Sequence, residues 1–328
     1  MKKKKSKKAL TVFLVLFIFI VGIGAAAFLT VDHYLSKIGR VDDEIVTVAP
    51  EDEDFETDEN SGLPVMEPEE VDWGKKYGVG LGDEKLLNIL LVGQDRRPGE
   101  GRARSDAMIV VSVNTDTRQV SMVSFLRDLY VQIPGYTDNR MNAAYAFGGF
   151  PLLKNTLYTN FGVTVDGCFE VDFNGFVALI DAVGGVDITL TEAESQRIGR
   201  GTSEGLNHLD GYGALAYARI RKIGTDFART DRQRTVLMAA YQQVKNKSFT
   251  ELTQLLNTVL PYITTDLSNA EIYAMALRVF PMITSVSISS YRVPPEGMYT
   301  DVYIRQMEVL YPNLPAIREK LKNEYFPF

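Results

Sequence analysis

The sequence is short of the residues that build metal and disulfide scaffolds: one cysteine, Cys168, and two histidines, His33 and His208, in 328 residues. A single thiol excludes an intramolecular disulfide, a zinc finger or an iron–sulfur cluster held by this chain alone, and two imidazoles exclude a histidine-rich metal site. Charge is missing from two places as well. Residues 9–31 carry no charged side chain, and residues 41–72 carry no basic one. The net charge of −7 comes from an uneven distribution, because residues 1–40 hold eight basic groups and one acid, 41–72 hold fourteen acids, and 73–328 hold 27 of each sign. A domain with no net positive charge is a poor nucleic-acid binder, so no nucleic-acid partner is expected.

What is present begins with six lysines in residues 2–8, followed by the uncharged stretch. Twenty-three residues at ~1.5 Å per residue reach ~35 Å as a helix, enough for a bilayer core of ~30 Å. The run is longer than the ~7–15 apolar residues of a signal peptide, which favours an uncleaved anchor over cleavage at Ala25-Ala26-Ala27, and the lysines place the N-terminus in the cytoplasm. The reading is a cytoplasmic tail at 1–8, a single-pass anchor at 9–31, an acidic extracytoplasmic linker at 32–80 and an extracytoplasmic domain at 81–328. The acid- and proline-rich linker cannot bury enough apolar surface to offset its ordering entropy, so it reads as an extended tether, dispensable for chemistry.

The domain reads as α/β, with α+β as the alternative: a central mixed sheet with helices on its faces. Strands are expected at 86–93, 108–113, 119–125, 130–133, 168–173, 186–190 and 285–293. Helices are expected at 142–147, 152–161, 176–183, 212–220, 229–245, 250–260, 268–280 and 316–325. Gly201-Thr202-Ser203-Glu204-Gly205 matches G-x-S-x-G but lacks the strand before and helix after that a nucleophile elbow needs, so it reads as a loop.

Arginine outnumbers lysine 18 to 9 in residues 73–328, and 14 of the 18 lie between Arg96 and Arg234. They cluster as Arg96-Arg97, Arg102 and Arg104, Arg127, Arg219 and Arg221, and Arg229, Arg232 and Arg234. A guanidinium binds phosphate through two parallel hydrogen bonds, which an ammonium cannot do. Asp95 and Asp106 sit at the ends of adjacent strands among these arginines, a setting that suits magnesium held against phosphate oxygens. Taken singly, each arginine or aspartate also fits a solvated ion pair. Arg318, far from any cluster, is expected on the solvated surface. Leu152, Leu153, Leu157, Phe161, Phe169, Phe176, Val177 and Ile180 are candidates to line an apolar slot.

Eight ordered segments resemble the LytR–CpsA–Psr family: N-I-L-L-V-G-Q-D-R-R (88–97), R-S-D-A-M-I-V-V-S-V-N (104–114), S-F-L-R-D (124–128), R-M-N-A-A-Y-A-F-G-G (140–149), V-D-F-N-G-F (171–176), G-G-V-D-I (184–188), L-D-G-Y-G-A-L-A-Y-A-R-I-R (209–221) and D-F-A-R-T-D-R-Q-R (226–234). That resemblance implies a membrane-anchored phosphotransferase of Gram-positive cell walls. It would move a glycopolymer phosphate (teichoic acid or capsule polysaccharide) from a polyprenyl diphosphate carrier to a peptidoglycan hydroxyl. Magnesium would be the cofactor, with manganese as its substitute. The matching positions imply Asp95 and Asp106 as metal ligands and Arg127, Arg219, Arg221 and Arg229 as diphosphate ligands. Arg104 and Gln233 join the same substrate site, with Asp226 the candidate base. Leu126, Arg140 and Ala228 depart from the family's usual Pro, Lys and Gly. The same residues would also serve a diphosphatase, and a non-catalytic envelope scaffold or attenuator binding lipid-linked polymer is the alternative from another class.

Overall fold

A computed structural model describes residues 35–40, 62–74, 86–94, 102–220, 223, 226–244, 247–279 and 287–326. In chain order these form β1 (Gly39–Arg40), β2 (Leu86–Gln94), β3 (Ser105–Asn114), β4 (Gln119–Phe125), β5 (Tyr130–Val131), β6 (Asn139–Arg140) and α1 (Met141–Phe161). Next come β7 (Gly167–Asp172), α2 (Phe173–Val183), β8 (Val186–Leu190), α3 (Glu192–Ile198), β9 (Gly205–Leu209) and α4 (Gly211–Ala218). The remainder is α5 (Asp226–Val244), α6 (Phe249–Val259), β10 (Ile263–Thr265), α7 (Asn269–Val279), β11 (Ser287–Val293), β12 (Tyr299–Ile304), β13 (Met307–Pro312) and α8 (Leu314–Lys320).

Seven strands make one mixed sheet in the order β1-β10-β7-β2-β3-β4-β11. The continuous apolar runs of β2, β3 and β4 are what strands buried on both faces require. Leu87, Ile89, Leu91, Ile109 and Val111 enter one core with α2 to α7. Leu90, Val92, Met108 and Val110 enter a second core with α1 and α8. The result is three layers, with the sheet in the middle.

The sheet's directions set where a ligand can sit. β2 is parallel to β7, antiparallel to β3, and β3 is antiparallel to β4, to which β11 is parallel. The carboxyl ends of β2, β7, β4 and β11 therefore share one edge with the start of β3. Crevices at such strand ends are where open α/β sheets bind ligands.

Several recognisable motifs are structural. Asp172 and Asp210 cap α2 and α4, accepting from the N–H groups of Gly175 and Gly213 at 2.8 and 2.6 Å. A Cβ on Gly211 would come within 2.5 Å of the Val177 carbonyl oxygen, so this glycine lets α4 close onto α2. Within α1 the helix breaks at Gly148-Gly149, Gly149 having φ of +60°, which agrees with two helical pieces rather than one. The G-x-S-x-G match is a turn running into β9, as its missing context implies.

Two segments inside the span read as a free linker belong to the fold. Leu35 and Ile38 are buried in the first core, and β1 pairs in parallel with β10. Residues 62–74 lie against the β12–β13 hairpin. Met66 N–H donates to the Tyr303 carbonyl at 2.8 Å, and the Trp73 ring stacks on Tyr130 at 5.7 Å. Composition averaged over the acidic stretch conceals these few anchoring side chains. Residues 9–31 and 41–61 lie outside the described residues, and among those described no helix is long and apolar enough to cross a membrane.

A chain beginning at residue 77 should consequently melt below one beginning at residue 62. Deleting the Trp73 stack and its strand-like pairing is expected to cost about 1–3 kcal/mol, read from urea midpoints at constant slope. Equal midpoints would return residues 62–74 to the tether.

Candidate functional site

Between the first face of the sheet and α2, α4 and α5 lies an apolar cavity, open to solvent. Its floor is Leu91, Ile109 and Phe169, and its walls include Phe176, Leu215 and Leu237. Its mouth, at the strand ends, is polar: Gln94, Asp106, Asp172, Arg219, Arg229 and Gln233. A smaller depression alongside joins Asp106, Arg127, Arg229, Thr230 and Gln233. An apolar slot thus ends in a cluster of fixed cations.

Each side chain at the mouth has a local reason to be there. Arg127 lies two residues past the end of β4, and its Nη1 donates to Asp106 Oδ1 at 3.0 Å while its Nε donates to Asp128 Oδ2 at 3.3 Å. Asp106, second residue of β3, is thereby placed beside the arginine that it neutralises. Arg219 is the C-cap of α4, exposed, with its guanidinium 4.3 Å from the Phe173 ring centroid. Arg229 and Gln233 are four residues apart on α5, hence on one face of that helix. Arg229 is 3% exposed, so its charge stands in a poorly screened environment.

Arg140 extends this group. Its Nε lies 3.8 Å from Asp128, and its Nε and Nη2 donate to the Glu308 carbonyl at 3.1 and 2.6 Å. Burial pushes its pKa down; Asp128 counters this, while Arg127 and Arg104 reinforce it. Arg104 therefore stands in the same field, although it is not part of the cavity lining. In the sequence Arg140 shows only as an unusual residue in a motif, and no periodicity marks it as part of the site.

Other expected residues fall elsewhere. Arg232 belongs to the scaffold: it is buried, and its Nε donates to Glu194 Oε1 at 2.8 Å. Its Nη1 and Nη2 donate to the carbonyls of Ile220 and Ile223 at 3.2 and 2.9 Å, gripping the turn after Arg219. Arg102 lies toward α1, 5.9 Å from the Tyr145 ring, in a space that a Cβ on Gly149 would fill. Beneath it Tyr145 Oη and Gln94 Nε2 both donate to the buried carboxylate of Glu170. Leu153, Leu157 and Phe161 belong to the second core, with Leu152 against it, on the opposite face from the cavity. Val177 and Ile180 are buried behind the wall, so of the expected slot residues Phe169 and Phe176 line it. Arg318 is 5% exposed rather than solvated, its Nε donating to the Asn160 carbonyl at 2.6 Å. Asp95, Arg221 and the Asp226 side chain lie outside the described residues; α5 begins at Asp226.

A divalent cation can be tested against the donor set. Among the described residues no three Asp, Glu, His or Cys side chains converge. Asp106 offers a hard oxygen at the mouth, and Asp95 follows Gln94 in the chain. Two carboxylates with diphosphate oxygens and water make a set that magnesium accepts, so the residue types fit.

The comparisons with known proteins agree with this geometry. The LytR_cpsA_psr family model matches residues 54–323, and the chain belongs to that family. Regulatory protein MsrR of Staphylococcus aureus is 32% identical over 220 residues, 66% of this chain and 67% of its own. The polyisoprenyl-teichoic acid–peptidoglycan teichoic acid transferase TagU of Oceanobacillus iheyensis is 35% identical over 213 residues, 62% of this chain and 66% of its own. The crystal structure of Bacillus subtilis TagT superposes with TM-score 0.58 at 26% identity, covering 80% of this chain and 99% of that one. Another structure of TagT, at TM-score 0.55 and 26% identity over 78% of this chain and 98% of that one, holds octaprenyl pyrophosphate.

The grip of Arg232 carries a pH signature. Burial works to raise the Glu194 carboxyl, but hydrogen bonds from Thr191 and Arg232 prevail and hold it below its ordinary 4.5. A carboxyl lowered by folding contributes stability above its unfolded value, and that contribution disappears as pH falls through the folded value. The melting advantage of the wild type over Glu194→Gln should therefore be full at neutral pH and shrink below about pH 4.5. An advantage that does not change with pH would show that the ion pair contributes nothing.

Proposed function

We propose that this chain transfers a glycopolymer phosphate from a polyprenyl diphosphate carrier to a hydroxyl of peptidoglycan, outside the cytoplasmic membrane to which residues 9–31 anchor it. The observation that carries the reading is the continuity of an apolar cavity with a mouth holding Arg219, Arg229, Asp106 and Arg127. A polyprenyl diphosphate has that same division, an apolar chain ending in concentrated negative charge. The names of TagU and of the lipid-bound TagT structure support the same donor and acceptor.

The chain's own residues account for most of the chemistry. The cavity holds the prenyl tail and excludes water from it. Arg219, Arg221 and Arg229 neutralise the diphosphate, with Arg127, Arg104 and Gln233 alongside, and phosphoryl transfer needs chiefly such positioning and charge stabilisation. Asp226 takes the proton of the acceptor hydroxyl as its oxygen bonds to the polymer-bearing phosphorus. The phosphorus–oxygen bond to the second phosphate breaks, polyprenyl phosphate leaves, and the polymer remains attached through a phosphodiester. Magnesium, or manganese in its place, held by Asp95 and Asp106, would neutralise phosphate oxygens as that charge develops.

The test is turnover of a lipid-diphosphate-linked sugar with a soluble peptidoglycan acceptor, with and without chelator. Asp106→Asn should keep its melting temperature and lose metal-dependent transfer. Arg219→Lys and Arg229→Lys keep charge but lose one of two hydrogen bonds, a cost of about 1–3 kcal/mol or about 5- to 150-fold. Arg197→Lys, exposed on α3, should change little. Insensitivity to chelator would remove the metal, and release of polymer phosphate to water alone would leave a diphosphatase. Near-wild-type rates in both arginine variants would remove the diphosphate clamp, and no turnover by the wild type would favour the scaffold.

A further inference from the structure

The charged mouth has two flanks, and the apolar cavity accounts for the one beside β7. On the other flank β11 runs beside β4, with Val293 opposite Phe125. Leu126 N–H donates to the Val293 carbonyl at 2.8 Å, so the segment leaving β11 passes next to Arg127. There the rings of Phe227 and Tyr299 lie 5.3 Å apart, and the Arg292 guanidinium sits 4.2 Å from the Phe227 ring centroid. Glu296, 89% exposed, holds Arg292 from its outer side at 3.6 Å. Phe227 directly follows Asp226 and precedes Arg229 by two residues on α5. None of these three side chains is fully buried.

Direction turns this juxtaposition into a site. In transfer to phosphorus the entering and leaving oxygens lie roughly in line on opposite sides. The leaving lipid phosphate belongs with its tail, on the β7 side. The acceptor must therefore arrive from the β11 side, where the two rings and the guanidinium stand. A pyranose ring has an apolar C–H face that stacks on an aromatic face, and hydroxyl and amide oxygens that accept from a guanidinium.

We propose that Phe227, Tyr299 and Arg292 form the acceptor subsite, seating a sugar ring of a peptidoglycan glycan strand so that its hydroxyl enters between the start of α5 and Arg127. This rests on the transfer reading given above. It also assigns a role to Arg292 and Tyr299, which lie beyond the last of the eight segments that resemble the family.

The test uses the full chain in detergent and, as probe, a tetrasaccharide of alternating N-acetylglucosamine and N-acetylmuramic acid. Tyr299→Leu and Phe227→Leu keep apolar volume and remove the flat face; Tyr299→Leu carries the test if Phe227→Leu melts early. Each should weaken tetrasaccharide binding by about 3- to 10-fold, the loss of one stacking contact. Binding of octaprenyl diphosphate should be unchanged, and in turnover the acceptor KM should rise while the donor KM stays. Wild-type tetrasaccharide affinity in both variants would overturn the subsite. So would a rise in donor rather than acceptor KM, which would assign the platform to the polymer's own sugar. If wild type fails to bind octaprenyl diphosphate while tetrasaccharide binding still depends on Tyr299, the subsite stands and the donor reading fails.

Discussion

Protein interiors are close-packed, and the space between a sheet and the helices covering it normally closes. In this chain the second face of the sheet obeys that rule, with buried side chains of α1 and α8 packed against it. On the first face the space stays open along Leu91, Ile109 and Phe169, and the remainder of the site depends on keeping it so. The walls must be held by something other than contact across the gap. Aspartate caps fix the starts of α2 and α4, Gly211 lets those helices close on each other, and Arg232 ties α5 to α3 and to the turn after α4. The framework carries the load at the cavity's rim, so the cavity itself need not be filled.

That arrangement separates two kinds of arginine within a few residues. Arg229 reaches the mouth, whereas Arg232, less than one helical turn further, turns away toward Glu194 and two backbone carbonyls. Charge cannot explain the difference, because both are guanidinium groups on one helix. Residues three apart stand only about 60° apart around the helix axis, so it is the partners within reach, Glu194 and the carbonyls of Ile220 and Ile223, that make Arg232 part of the scaffold.

The sheet was legible because its central strands are unbroken apolar runs, and the helices over it because glycines and caps mark their ends. The β12–β13 hairpin was not legible. Its two-residue turn is Arg305-Gln306, both at positive φ (51° and 64°), a conformation that sequence patterns associate with Asn-Gly. α3 carried a readable signal in the capping box Thr191-x-x-Glu194, overlooked because the helix is a single short piece. The apolar slot was half legible. Periodicity shows that Leu153, Leu157 and Phe161 are inside, but a helix's period does not say which face of the sheet it covers. The mouth was clearest, since Asp106, Arg127, Arg219, Arg229 and Gln233 converge as their motifs imply; Arg140 joins them through long-range packing invisible in the chain.

The central claim is that slot and mouth form one bipartite site. Titrating the full chain in detergent with octaprenyl diphosphate, octaprenol and inorganic diphosphate measures it directly. The two halves of the ligand, bound at once, should exceed either half alone by about 100-fold or more. Octaprenol binding as tightly as octaprenyl diphosphate would mean that the arginines take no part, and would contradict the account.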